Sequence, residues 1–164
     1  MGLITLGLSK ISVGEASPLG VMPTALTKIG KTYKDTAKLS QDAADVTEHF
    51  EEGQAAPEVR KKTRKIPQLT FSIMDADVQM LADYVGGEVT DNKWGYNGDE
   101  VVANKAIFIE SEQGLQIEMP NADIEAVINA DMSAKGIFLV DFTVTPMAVA
   151  TGQKAIRAMP KVVG

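Results

Sequence analysis

Alternation is the feature that most narrows the choice of fold. Leu69, Phe71 and Ile73 alternate with Gln68, Thr70 and Ser72. Leu115, Ile117 and Met119 alternate with Gln116 and Glu118, and Ile124, Ala126, Ile128, Ala130 and Met132 continue the pattern. A period of two sends successive side chains to opposite faces of a strand, one dry and one wet. The run Ile137 to Thr145, nearly all apolar at its start, predicts a central strand. Turn signals separate these runs at Glu112-Gln113-Gly114, Pro120-Asn121-Ala122-Asp123 and Ser133-Ala134-Lys135-Gly136. Short strands with a turn about every ten residues predict a mainly β fold of two packed antiparallel sheets, sandwich- or barrel-like.

One segment breaks the pattern. Val78, Leu81, Ala82 and Val85 recur at i, i+3, i+4 and i+7, an apolar stripe on a helix. Asp75 or Asp77 is placed to cap its N-terminus, and Gly86-Gly87 to stop it in a left-handed turn. A helix over 77–85 flanking the sheets is therefore expected.

The chain, 164 residues long, is read as one domain, 1–164. Residues 1–27 are apolar and interrupted by Pro18 and Pro23, which predicts an arm with a short strand at most around Ile11-Ser12-Val13. Residues 28–65 predict a long, polar, extended β-hairpin with a loop at Glu51 to Pro57; strands are expected at Lys28–Ser40, Ala43–Phe50 and from Glu58. Residues 66–150 form the β core with its helix. Residues 151–164 are a tail, irregular or briefly helical from Gln153 to Met159.

Residue counts weigh against catalysis. With no cysteine there is no thiolate nucleophile and no Cys-based metal site. The single histidine, His49, sits among Glu48, Glu51 and Glu52 and reads as a solvated surface residue. No phosphate loop, dinucleotide fingerprint or nucleophile elbow occurs. Asp75-Ala76-Asp77 reads as a cap rather than a metal pair, and Asp91-Asn92 and Asn97-Gly98-Asp99-Glu100 as turns around Trp94, without calcium-loop spacing. Trp94 and Tyr96 read as core or interface residues, and Asp141 as a wet-face or interface acid in the last apolar strand. No catalytic residue, cofactor or metal is expected. No apolar run reaches the length of a membrane span, and Met1 to Leu8 lacks the basic flank of a secretion signal.

Charge is unevenly spread. Residues 1–65 carry ten Lys/Arg and eight Asp/Glu, a sum of +2; residues 66–164 carry six and fourteen, a sum of −8. That balance lacks the general basic footprint of a nucleic-acid binder. Within residues 41–58 stand six acids, including Asp42, Asp45, Glu48, Glu51 and Glu52, with no Lys or Arg. Arg60, Lys61, Lys62, Arg64 and Lys65 follow at once. One reading is a solvated hairpin tip. The other is self-complementarity, in which opposite blocks on neighbouring copies set partner and register. These ten residues are the candidate inter-subunit or channel-lining charges.

In this order of parts the chain resembles the major tail tube proteins of phages, whose fold also serves contractile injection systems. The likeness rests on the arm, the polar hairpin at about 28–65, and Gln68-Leu69-Thr70-Phe71-Ser72-Ile73 entering the helix. Gly86-Gly87 and the final Gly136–Val144 strand complete it. The resemblance implies a subunit of two packed sheets with a flanking helix. Six such subunits form a ring, their hairpins join into a β-barrel around a channel, and the rings stack. The expected place is the virion tail, after synthesis in the host cytoplasm. The expected partners are further copies, tape-measure, baseplate and terminator proteins, and a sheath where one exists. DNA passes through without sequence-specific binding, and an acidic lumen would keep that polyanion from sticking. The basic run Arg60–Lys65 departs from that pattern, so most of it is expected to face a neighbour or to pair with Asp42, Asp45 or Glu48. Alternatives are a monomeric β-sandwich binding or adaptor module, such as a tail terminator, or an injection-system tube.

Overall fold

A computed structural model describes residues 2–161 and gives a mainly β chain in which antiparallel sheets pack together in a sandwich-like fold. Residues 162–164 of the expected tail lie outside the described residues. In chain order the strands are β1 (Leu6–Glu15), β2 (Thr27–Lys28), β3 (Lys38–Ser40), β4 (Asp45–His49), β5 (Val59–Thr63) and β6 (Gln68–Ile73). After a short helical segment come β7 (Glu88–Thr90), β8 (Lys93–Gly95), β9 (Asn104–Gln113), β10 (Leu115–Ala130), β11 (Phe138–Pro146) and β12 (Arg157–Pro160). One hydrogen-bonded sheet runs in the order β2-β1-β9-β10-β11-β6-β3, with β12 beside the start of β10. Strands β4 and β5 form a separate ribbon, as do β7 and β8.

Alternation builds the core. On β11, Val140, Phe142 and Val144 are buried while Asp141, Thr143 and Thr145 are partly wet. Opposite them on β6, Leu69, Phe71 and Ile73 are buried, with Phe142 directly across from Phe71. The two rings stack with centroids 5.1 Å apart, and Tyr84 meets Phe142 edge-on at 5.3 Å. Ile11 from the other end of the sheet and Ile107 from β9 belong to the same cluster, so the sheet curls until its two ends share one core. Asp141, on the wetter face, accepts hydrogen bonds from the Ser72 hydroxyl and the Asn129 amide within its own chain.

The helical segment lies where expected but winds differently. It begins as an α-helix, α1 (Val78–Met80), and continues as a π turn over Leu81–Val85. Asp77 is the cap, its carboxylate accepting from the Met80 amide at 2.9 Å. Asp75 instead accepts from the Lys31 amide at 2.7 Å. The wider π turn rotates later positions relative to an α-helix, so Leu81 and Tyr84 are buried and Val85 only half-buried.

Four further expectations are corrected. Residues 1–27 hold not an arm with a minimal strand but ten-residue β1, paired with β9 inside the main sheet. Pro120-Asn121-Ala122-Asp123 is not a turn: β10 runs straight through it, with the β9 register slipping between Met119 and Ala122. Pro and Asn suit such an irregularity as well as a turn, since neither then has to supply a regular ladder bond. The tail is not helical; Arg157–Pro160 pairs with Leu115–Glu118, and Arg157 Nε lies 2.7 Å from Glu118 Oε1, with its N–H angled off the acceptor. The 28–65 hairpin is also shorter than expected. Between β2 and β3 the chain is a loop, tied to β6 and its end by a bridge from Thr32 to Ile73 and by side-chain bonds at Asp75 and Thr36, so only β4 and β5 make the ribbon.

Candidate functional site

The ribbon β4–β5 stands apart from the rest of the molecule. Its register is Asp45↔Thr63, Val46↔Lys62, Thr47↔Lys61, Glu48↔Arg60 and His49↔Val59. All ten residues of its strands are exposed, and none belongs to the hydrophobic core. The sequence explains this: neither strand carries more than one β-branched aliphatic residue, Val46 or Val59, so neither has an apolar face to bury. The tip is closed by the Glu58 amide donating to the His49 carbonyl at 2.7 Å and by a turn at Gly53. The base is tied by the Gln41 side chain, which donates to the Lys65 carbonyl at 2.7 Å. Phe50, at the tip, is exposed.

Opposite blocks of charge meet within the ribbon itself. Arg60 Nε lies 3.2 Å from Glu48 Oε1, and Lys65 Nζ 3.6 Å from Asp45 Oδ1. Both pairs are solvent-exposed and each is worth under about 1 kcal/mol. Asp42, Glu51, Glu52, Lys61, Lys62 and Arg64 join no ion pair among the described residues. Strand alternation also divides the basic run. Arg60 and Lys62 share a face with Val46 and Glu48, whereas Lys61 shares the other with Thr47, Asp45 and His49. Neither face is purely acidic or purely basic. Both outer edges of the ribbon, one on β4 and one on β5, carry unpaired backbone groups.

The remaining motifs resolve into local structure. Asp91 and Asn92 both have positive φ, 52° and 58°, and make the two-residue turn of the β7–β8 hairpin. Trp94 stacks on Tyr96 at 5.4 Å and donates from its indole nitrogen to the Gly86 carbonyl at 2.7 Å, fixing that hairpin to the end of the helical segment. Among the described residues no group of three or more His, Asp or Glu side chains converges as a metal site. No helix among them is long and apolar enough to cross a membrane.

Sequence reasoning passed over two surface hollows. One, of about 720 Å³, lies beside β1 and is rimmed by Lys28, Lys31, Lys34 and Lys38. The other, of about 490 Å³, lies beside β10 and is lined by Asp99, Glu100, Asp123 and Glu125. Lysines at 28, 31, 34 and 38 were a visible cluster, but only the curl of the sheet puts them around one opening. No protein-family description matches the chain, and no curated protein is similar to it.

Proposed function

We propose that this chain is a structural, non-enzymatic subunit that assembles with copies of itself into stacked rings, as the subunits of a phage tail tube do, with the β4–β5 ribbon as its main joining element. The observation that carries the reading is the ribbon: two exposed, polar strands with both edges open and no core beneath them. A lone two-stranded ribbon is marginal in water and gains stability when its edges are extended. Ribbons of neighbouring copies meeting edge to edge would close those ladders, and their charges would set register. In a ring such a ladder closes on itself and removes the open edges. Six copies, a channel for DNA, a place in the virion tail, and contacts with tape-measure, baseplate and terminator proteins belong to the same reading.

Lys62 and Arg64 provide the test, because no acid of their own chain pairs with them among the described residues. Reversing both to glutamate is expected to leave thermal unfolding unchanged and to abolish the rings or hollow filaments expected of wild-type protein in negative-stain images. Normal tubes from the Lys62→Glu, Arg64→Glu protein would remove the ribbon from the assembly contact. A wild-type protein that stays monomeric over a wide concentration range in sedimentation would favour a single-copy binding or adaptor module instead.

A further inference from the structure

The edge of β10 opens onto solvent halfway along the strand. Pairing with β9 ends at Asp123↔Asn104, and one further bond, from the Ile124 amide to the Ala103 carbonyl at 2.9 Å, closes that side. From Glu125 to Ala130, among the described residues only β11 lies alongside. Val127 and Ile128 are exposed there, and Val101, which also lines the hollow, is exposed too. An open strand edge beside uncovered aliphatic side chains is the form of a docking surface.

Charge selects the occupant. The hollow beside β10 is lined by four acids and no Lys or Arg, a sum of −4. The hollow beside β1 carries Lys28, Lys31, Lys34 and Lys38 against Asp35 and Glu112, a sum of 4 − 2 = +2. None of these four lysines or four acids is in an ion pair among the described residues. The lysine strip, too, borders an open edge: β2 pairs β1 only at Ser12 and Val13, leaving Leu6 to Lys10 uncovered on that side. Apolar side chains, Leu8, Leu39 and Leu115 among them, floor that hollow.

We propose that the acid-lined hollow on the open edge of β10 receives the lysine strip at 28–38 of a second copy, head to tail. The two surfaces differ, so the contact is heterologous and propagates into a ring or a stack rather than stopping at a dimer. The inference rests on the self-assembly reading above and adds a second contact, away from the ribbon.

A charge-swap experiment tests it. One variant carries Lys31→Glu and Lys34→Glu; the other carries Asp99→Lys and Glu125→Lys. All four side chains are exposed. Each variant alone is expected to self-associate more weakly than wild type in sedimentation velocity, by on the order of tenfold or more. An equimolar mixture is expected to recover association, because the reversed strip of one then meets the reversed hollow of the other. Milder Lys31→Gln and Lys34→Gln changes should weaken association in the same direction, and circular dichroism identifies any variant that fails to fold. Wild-type assembly with no loss in either variant, or losses without recovery on mixing, overturns this contact while leaving the ribbon reading standing. Wild-type protein that never associates overturns both. Binding of the hollow to an unrelated basic peptide, with no effect of either variant on association, assigns the hollow to a foreign partner and also overturns the proposal.

Discussion

Tyr84 shows how one residue of the core reports on the fold. Burial beside Phe142, with the Asp83 carboxylate adding to it, raises its phenol above the ordinary 10.0. An unfolded chain loses this proton near 10.0. The folded chain keeps it to higher pH, so over that window unfolding releases a proton and stability falls as pH rises. Below the ordinary value the effect is absent. Urea midpoints measured across the alkaline range are therefore expected to decline above about pH 10 in wild type and to decline less steeply in Tyr84→Phe. Equal slopes would show that Tyr84 titrates as if exposed. The sequence marked Leu81 as a core residue but not Tyr84, because an α-helical period places Val85 inward. The π turn that brings Tyr84 in depends on the Gly86 amide reaching back to the Leu81 carbonyl at 3.0 Å, a five-residue bond that hydrophobic spacing does not encode.

At the scale of elements, the ribbon and the core are separable. No residue of β4 or β5 is in the hydrophobic cluster. Replacing residues 45–63 with a short glycine-containing turn is expected to leave the unfolding free energy from urea titration within about 1 kcal/mol of wild type, since only exposed side chains and a marginal ladder are lost. The same protein should form no tubes. A large loss of stability would mean that the ribbon packs on the core in solution. The alternating runs at 68–73, 115–119, 124–130 and 137–145 were legible as strands because apolar side chains recur at every second position. β1 was less legible: Leu6, Leu8, Ile11 and Val13 do not keep strict alternation, and the β9 pairing slips between Leu8 and Lys10. β12 was missed because a four-residue edge strand carries too few side chains to show a period.

For the whole molecule, the unpaired charges are the part that a monomer leaves unused. Attraction between exposed groups is screened over about 8 Å at physiological ionic strength. Self-association through the lysine strip and the acid-lined hollow is therefore expected to weaken steeply as salt is raised, whereas the thermal unfolding of the subunit should change little. Sedimentation and thermal melts over one salt series check both, and association that is indifferent to salt would point to an apolar contact instead.

The sequence by itself determined the mainly β class, the capped helical segment, the turns at Gly114 and at 133–136, and a charged ribbon with nothing apolar to bury. These are local properties, written in the period of side chains and in turn chemistry within a few residues. Tertiary structure alone decided that residues 6–15 belong to the central sheet, that β10 continues through Pro120, and that Glu48 and Asp45 face Arg60 and Lys65 within one chain. It also gathered the lysines of 28–38 and the acids at 99, 100, 123 and 125 into two hollows of opposite charge. Those outcomes depend on which strands become neighbours when the sheet curls. Pairing between segments a hundred residues apart is settled by the free energy of the whole core, not by any one stretch of chain.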